Sequence, residues 1–104
     1  MTQQDSTVIT PTVGRKVWYW PSAFDKTGPV PMNQMPGKPL DATVIAVYGD
    51  RMVNVLVIDT VGRQFPVLSC DLVQPGESPR LGANGQPHGR YCEWMPYQRG
   101  QAAK

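Results

Sequence analysis

The most regular pattern in the chain is a pair of apolar runs, Ala42–Tyr48 and Met52–Ile58, joined by Gly49-Asp50-Arg51. Two runs rich in β-branched residues around a short Gly-containing connection predict a β-hairpin. Successive residues of a strand point to opposite faces, and in both runs both faces are mostly apolar. A sheet with one solvated face would instead alternate between apolar and polar positions. We therefore expect a barrel interior to cover one face. The other face needs a second layer, which would be the Tyr91–Tyr97 cluster, the Pro-rich loop or another copy of the chain.

Further segments complete the predicted sheet. Residues 13–20 are rich in β-branched and aromatic types, which predicts a first strand. Gln64–Leu68 predicts a strand that Pro66 places at an edge or a bulge. Ser69–Leu72 predicts a single helical turn, and Val73-Gln74 predicts a short fifth strand.

Loops and tails are expected around this sheet. The prolines and glycines are dense over residues 21–40 and 75–90, which predicts two long loops and no helix of any length. Residues 1–12 and 98–104 are predicted to be tails, which leaves one domain over residues 13–97. The predicted fold class is all-β, a small five-stranded barrel with long Pro/Gly-rich loops and an aromatic C-terminal extension.

The order of these elements resembles a small SH3-like barrel of the Tudor or KOW type. The resemblance covers Val13 to about Gln74 and depends on the first strand, the hairpin, the turn with Asp59 and Gly62, and the helical turn. The whole chain also resembles a family of small proteins of tailed bacteriophages and prophages of proteobacteria. The segments that carry this second resemblance are Val13–Val17, Leu40–Val44, Gly49–Asn54 and Tyr91–Gln98. It implies expression in an infected cell and assigns no activity.

Composition and charge narrow the expected function. The 104 residues suffice for one domain, and the net charge of +2 is too small to indicate a nucleic-acid-binding protein by itself. No apolar run approaches the roughly 18 residues of a membrane span. The N-terminal residues lack a basic stretch followed by an apolar run, so no secretory signal is predicted. We expect a cytoplasmic protein without a membrane partner.

The residues needed for catalysis or metal binding are scarce. His88 is the one histidine of the chain and lies in a Gly/Pro-rich loop, where no rigid neighbour would position it as a general base. Cys70 and Cys92 are expected to be free thiols in a reducing cytoplasm. A structural zinc site needs four ligands, so Asp71 or Glu93 would have to join Cys70, His88 and Cys92 to form one. We expect no enzyme activity, no cofactor and no metal.

Aromatic and basic side chains are the best candidates for binding. Residues 18–20 are consecutive aromatics, so those that face away from the core either pack under the Pro-rich loop or offer a stacking surface. Tyr91, Trp94 and Tyr97 are spaced three apart and would share one side of a helical turn, as a docked segment or an interface. The basic residues either lie on the solvated surface of the barrel or contact the phosphate groups of a ligand. The predicted ligand- or partner-binding residues are Arg15, Lys16, Trp18, Trp20, Tyr48, Arg51, Arg63, Arg90, Tyr91, Trp94 and Tyr97.

Three functions remain open at this point. The first is a phage counter-defence protein that sequesters a small anionic, nucleotide-type signalling molecule at an oligomer interface, with a homodimer favoured. The second is an interaction module that binds and inhibits a host protein through Trp18, Trp20 and the Pro-rich loop. The third is a KOW-like nucleic-acid-binding barrel or a minor virion component. They differ in whether the predicted aromatics and arginines converge on one pocket.

Overall fold

A computed structural model describes residues 8–81, 85 and 89–96 of the chain. Its elements are β1 (Lys16–Trp20), α1 (Ala23–Thr27), β2 (Leu40–Gly49), β3 (Met52–Ile58), β4 (Gln64–Val73) and β5 (Tyr91–Trp94). The five strands form a closed barrel in the order β1-β2-β3-β4-β5. Neighbouring strands are antiparallel except β4 and β5, which are parallel. The predicted all-β, SH3-like five-stranded barrel is confirmed.

Alternate residues of the strands fill the barrel interior. Every second residue of β3 from Val53 to Val57 is fully buried, as are Val17 and Tyr19 of β1. Because side chains alternate along a strand, the two tryptophans of β1 point away from the interior. The inward residue of the aromatic run is therefore Tyr19.

Strand β4 continues through the segment that was expected to form a helical turn. Ser69 has left-handed backbone geometry, with φ of 52°, and the register with β3 shifts between Val53 and Val55. The side-chain oxygen of Asn54 accepts the Ser69 N–H at 2.8 Å, so the irregularity leaves no orphaned donor there. These features are those of a bulge within a strand. The helical turn predicted at Ser69–Leu72 is wrong.

The fifth strand is the aromatic C-terminal segment. Tyr91–Trp94 pairs with β1 and also with β4 over Asp71–Val73, which closes the barrel. Cys92 and Trp94 are buried and alternate with half-buried neighbours, a period of two rather than the expected period of a helical turn. The predicted fifth strand at Val73-Gln74 is therefore wrong, and the predicted aromatic extension is part of the barrel itself.

A short helix lies in the loop 21–40, where no helix was predicted. Ser22 begins it: the Ser22 hydroxyl accepts the Asp25 N–H at 3.2 Å, and the Asp25 carboxylate accepts the Ser22 N–H at 3.0 Å. This reciprocal arrangement is a capping box. A helix of five residues does not persist alone in water, so its position depends on contacts with the barrel.

The buried Gln74 ties together the end of the barrel that lies away from α1. Its side-chain oxygen accepts the N–H of Ile9 at 2.9 Å and the indole N–H of Trp94 at 3.2 Å. Its amide nitrogen donates to the carbonyls of Ile9 and Asp50. A polar side chain can be buried here because it is fully hydrogen-bonded. Ile9, which the sequence assigned to the N-terminal tail, is 5% exposed and belongs to the core.

Candidate functional site

A groove of about 310 Å³ opens between α1, the segment after it and the beginning of β4. Most of its lining is apolar: Phe24, Gly28, Pro29, Val30, Met32, Phe65, Pro66 and Val67, with Asp25 and Arg90 as the charged members. Phe24 and Val30 are 68% and 64% exposed. Large apolar side chains clustered in solvent are typical of an interaction site.

Asp25 holds the helical side of the groove on the barrel. Its carboxylate accepts the Tyr19 hydroxyl at 2.5 Å in addition to the Ser22 N–H, and it lies 3.4 Å from the Arg90 guanidinium. Burial of Tyr19 and its hydrogen bond to Asp25 raise the pKa of this phenol far above its ordinary value. The hydroxyl therefore remains a donor across the physiological pH range, and α1 is tied to a core residue.

Asp59 fixes the segment that follows α1. Its buried carboxylate accepts the backbone N–H groups of Asn33, Val61 and Arg63 at 2.9–3.1 Å. The Arg63 side chain lies 3.2 Å from this carboxylate and also donates to the Pro31 carbonyl at 2.6 Å. Burial alone would raise the pKa of Asp59, but the three N–H groups and the arginine outweigh it and lower the pKa. The loop is thereby fixed to the turn between β3 and β4.

The groove runs beside an edge of β4 that none of the five strands pairs with. Strand β4 pairs with β3 over Gln64–Asp71 but with β5 only over Asp71–Val73. Pro66 lies opposite Leu56 and has no N–H, so its backbone nitrogen occupies a position that faces away from β3. The carbonyl of a strand residue points to the same side as its nitrogen. The Pro66 carbonyl therefore also points away from β3, and Pro66 lines the groove.

Arg90 also lines a second cleft, of about 260 Å³. The other residues that line it are Met52, Ser69, Asp71, Arg80, Gly89 and Tyr91. Arg90 and Ser69 are the two non-glycine residues with positive φ in the described part of the chain, at 55° and 52°. Such backbone strain often occurs at functional sites, so this cleft is a second candidate site.

Most of the predicted basic site residues already have carboxylate partners within the chain. The ion pairs are Lys16 with Asp41 at 3.1 Å, Arg51 with Glu77 at 2.6 Å, Arg63 with Asp59 at 3.2 Å and Arg90 with Asp25 at 3.4 Å. The guanidinium of Arg15 lies over the ring of Trp94, 5.8 Å from its centroid. A bound anion would compete with these internal contacts.

Two of the predicted aromatic residues form one surface contact, and a third lies in the core. Trp94 is 1% exposed and donates its indole N–H to Gln74, so it acts as a core residue. Trp20 donates to Glu93 at 2.7 Å and stacks on Tyr91, with the ring centroids 6.4 Å apart. The stacked pair therefore lies on the outside of β1 and β5, away from the buried indole.

The remaining predicted aromatic residues are dispersed. Trp18 is half-buried on the outside of β1, and Tyr48 is exposed, with its hydroxyl accepting the side-chain N–H of Asn54. Tyr97 lies outside the described residues. The predicted residues are thus not brought into one pocket: Arg90 alone of them lines the groove, and Arg90 and Tyr91 line the cleft.

The apolar lining of the groove was missed by sequence reasoning. Phe24 and Val30 were included in a Pro-rich loop, and Phe65 was assigned to a strand without a functional role. One local signal was available, because Ser22-x-x-Asp25 has the spacing of a capping box and indicates a helix start. The position of that helix across the groove from β4 has no local signal, since it depends on residues distant in sequence.

The outer face of β2, β3 and β4 is partly open. Ile45 is 43% and Leu68 61% exposed, while Leu56 and Ile58 are half-buried. The aromatic segment Tyr91–Trp94, one of the expected covers, belongs to the barrel and does not form a second layer. The homo-oligomer expected from this apolar face remains a prediction.

Metal-binding and membrane-spanning features were also sought in the described residues. Within residues 8–81, 85 and 89–96, no group of three or more His, Cys, Asp or Glu side chains is placed to hold a metal ion. Cys70 and Cys92 are buried free thiols, and His88 lies outside the described residues. In the same part of the chain, no helix has the length and apolarity needed to cross a bilayer.

Comparisons of the chain with protein-family models, with curated proteins and with solved structures found no match. The resemblance to phage proteins therefore remains a prediction. The structure shows the architecture alone, a closed, five-stranded barrel of the SH3-like kind.

Proposed function

We propose that the protein is a non-enzymatic interaction module that binds an extended, apolar segment of a partner protein in the groove between α1 and β4. The observation that carries this proposal is that an apolar groove lies directly beside an edge of β4 that none of the five described strands pairs with. A peptide that adds to such an edge gains main-chain hydrogen bonds, and its alternate side chains fill the adjacent pocket. Pro66 supplies the acceptor, and Phe24 and Val30 supply apolar contact area.

The groove suits apolar side chains better than a phosphorylated small molecule. Its volume of about 310 Å³ is at the lower end of the range of about 300–1,000 Å³ for small-molecule pockets. Arg90 is the one cation among its described lining residues, and it is paired with Asp25. A phosphate group would therefore enter a mainly apolar space and have to displace an internal carboxylate.

The distribution of charge also favours the interaction module over the two alternatives. Lys16, Arg51 and Arg63 form ion pairs with neighbouring carboxylates and do not line the groove. Sequestration of a nucleotide-type molecule and binding of nucleic acid both require cations that are available to phosphates. In the setting that the phage resemblance implies, the partner would be a host or phage protein in the cytoplasm.

Selection from a library of random linear peptides displayed on phage tests the proposal with the full chain as bait. The expected result is enrichment of sequences with apolar residues at alternate positions, as strand addition requires. Val30→Asp should weaken binding of a selected peptide at least about tenfold, because it places a charge in the apolar groove. The matched control is Val13→Asp, since Val13 is 68% exposed and does not line the groove.

Two measurements distinguish strand addition from other modes of binding. Chemical shifts of backbone amides should change in β4 near Pro66 and in α1 when the peptide is added. Methylation of the peptide nitrogen that donates to Pro66 should lower affinity by roughly tenfold, the loss of about one hydrogen bond. Equal binding to Val30→Asp, or binding of a cyclic or ADP-ribose-type nucleotide in place of any peptide, would contradict the proposal.

A further inference from the structure

Two thiols meet inside the barrel, between β4 and β5. The Sγ atoms of Cys70 on β4 and Cys92 on β5 are 3.2 Å apart, and both residues are about 1% exposed or less. Their strands are joined by only three register pairs, over Asp71–Val73. The thiols therefore lie at the junction where the barrel closes with its shortest strand.

Two residues with positive φ lie next to these thiols in sequence. Ser69 immediately precedes Cys70, and Arg90 lies two residues before Cys92; both have positive φ. The Cys70 sulfur also lies 3.9 Å from the Arg90 carbonyl. Strained positions of this kind persist only where surrounding contacts impose them. Both strained residues line the cleft, whereas the two sulfurs are buried in the barrel, so a reagent reaches them only when the short β4–β5 pairing opens.

We propose that Cys70 and Cys92 are a disulfide-forming site, oxidised by a low-molecular-weight disulfide such as oxidised glutathione. One cysteine, after losing its proton to solvent, attacks a sulfur of the oxidant and releases one glutathione thiolate. The second cysteine, also deprotonated, attacks the protein sulfur of the mixed disulfide and releases the second glutathione. The protein loses two electrons and two protons, and the oxidant becomes two thiols.

The two sulfur atoms are already in contact, although the β4–β5 register pairs Cys92 with Leu72 rather than with Cys70. The sulfurs must approach by about 1 Å to reach the length of an S–S bond, about 2.05 Å. The bond would cross-link residues 22 apart in sequence and fix β5 to β4, next to the Arg90 backbone. The contact with Cys70, followed by burial, raises the pKa of the Cys92 thiol, so the reaction is slow at neutral pH.

Equilibration with glutathione tests the site in the full chain. Folded protein and protein unfolded in concentrated urea are each equilibrated at increasing ratios of oxidised to reduced glutathione. Free thiols are then alkylated, and mass spectrometry measures the fraction of chains with a disulfide. A disulfide stabilises the fold by constraining the unfolded chain. The folded protein should therefore oxidise at a ratio of oxidised to reduced glutathione roughly 100-fold lower than the unfolded chain requires. The melting temperature of the oxidised form should exceed that of the reduced form by on the order of 10 °C.

The single variants Cys70→Ser and Cys92→Ser are the controls. Each should form at most a mixed disulfide with glutathione, and neither should show the rise in melting temperature. If a variant does not fold, the comparison of folded and unfolded wild-type chain decides the question alone. Equal oxidation of the folded and unfolded chain, a mixed disulfide only, or a bond between two chains would overturn the proposal, because each would show that the β4–β5 register keeps these sulfurs apart.

Discussion

Replacing Asp25 with alanine would remove one acceptor from three donors at once. The carboxylate accepts the Tyr19 hydroxyl and the Ser22 N–H and pairs with Arg90. Helix α1 has only five residues, too few for it to persist without these contacts. We expect Asp25→Ala to release α1 from the barrel and to leave the buried Tyr19 phenol without its acceptor.

The cost can be estimated from these contacts. A hydrogen bond to a charged group contributes roughly 1.5–3 kcal/mol, and an N-terminal cap contributes about 1 kcal/mol. The ion pair with Arg90 adds well under about 1 kcal/mol, because its atoms are 3.4 Å apart and the arginine side chain is 47% exposed. Asp25→Ala should therefore lower the free energy of unfolding by about 3 kcal/mol, a large part of a usual total of roughly 5–15 kcal/mol.

Urea unfolding at neutral pH, followed by tryptophan fluorescence, measures this loss. Tyr19→Phe should lower the free energy of unfolding by roughly 1.5–3 kcal/mol. The double variant should lose little more than Asp25→Ala alone, since both changes remove the same hydrogen bond. Asp50→Ala is the matched control, because Asp50 is exposed and lies in the β2–β3 turn, and its effect should stay within about 0.5 kcal/mol.

Two results would refute this reasoning. A loss below about 1 kcal/mol for Asp25→Ala would show that apolar packing alone holds α1. Strict additivity of Tyr19→Phe and Asp25→Ala would show that the phenol and the carboxylate do not interact in solution. Peptide affinity provides an independent measurement. Because Asp25→Ala should release α1 and so disrupt the groove, it should weaken peptide binding even under conditions in which the barrel is still folded.

Three further substitutions test other parts of the structure. Asp59→Asn should reduce the loss of stability in acid. The folded pKa of Asp59 lies below its ordinary value of 3.8. The ionised carboxylate therefore stabilises the fold above that value, and this stabilisation is lost as pH falls through the folded pKa. Urea midpoints at neutral pH and near pH 3 measure this, and equal drops in wild type and variant would contradict it. Gly89→Ala should lower the free energy of unfolding by roughly 2 kcal/mol or more, because φ is 83° and the new Cβ would lie 2.9 Å from the Ser22 Cα. The control is Gly85→Ala, where φ is 79° and no atom lies within 4 Å of the new Cβ. It should destabilise the protein less in thermal unfolding. Gln74→Leu should cost roughly 3 kcal/mol, because it leaves buried hydrogen-bonding groups without partners, and a change below about 1 kcal/mol in urea unfolding would contradict this role.

The barrel could be predicted because its signals are local. The runs Ala42–Tyr48 and Met52–Ile58 are rich in β-branched residues, and the short connection between them predicts the hairpin. The bulge at Ser69 could not be predicted in this way, because serine does not signal a positive φ as glycine does. The closing role of Tyr91–Trp94 was also hidden, since parallel pairing with β4 joins segments distant in sequence.

The groove depends still more on distant contacts. Phe24, Val30 and Phe65 come together only because Asp25 holds α1 to Tyr19 and because another carboxylate fixes the loop to the β3–β4 turn. Each of these side chains is unremarkable in its own segment. The sequence could indicate where a helix starts, through the capping box, but not which strand that helix would face.

The arginines show why residue type alone pointed to a different function. Arginine suits phosphate recognition, yet Arg63 bridges the Asp59 carboxylate and the Pro31 carbonyl, and Arg90 faces Asp25. In a chain with long loops, ordering those loops costs conformational entropy that such contacts offset. These cations therefore hold the loops that form the groove. It follows that binding of an apolar segment should change little between low and moderate salt, whereas binding through phosphates would weaken steeply over the same range.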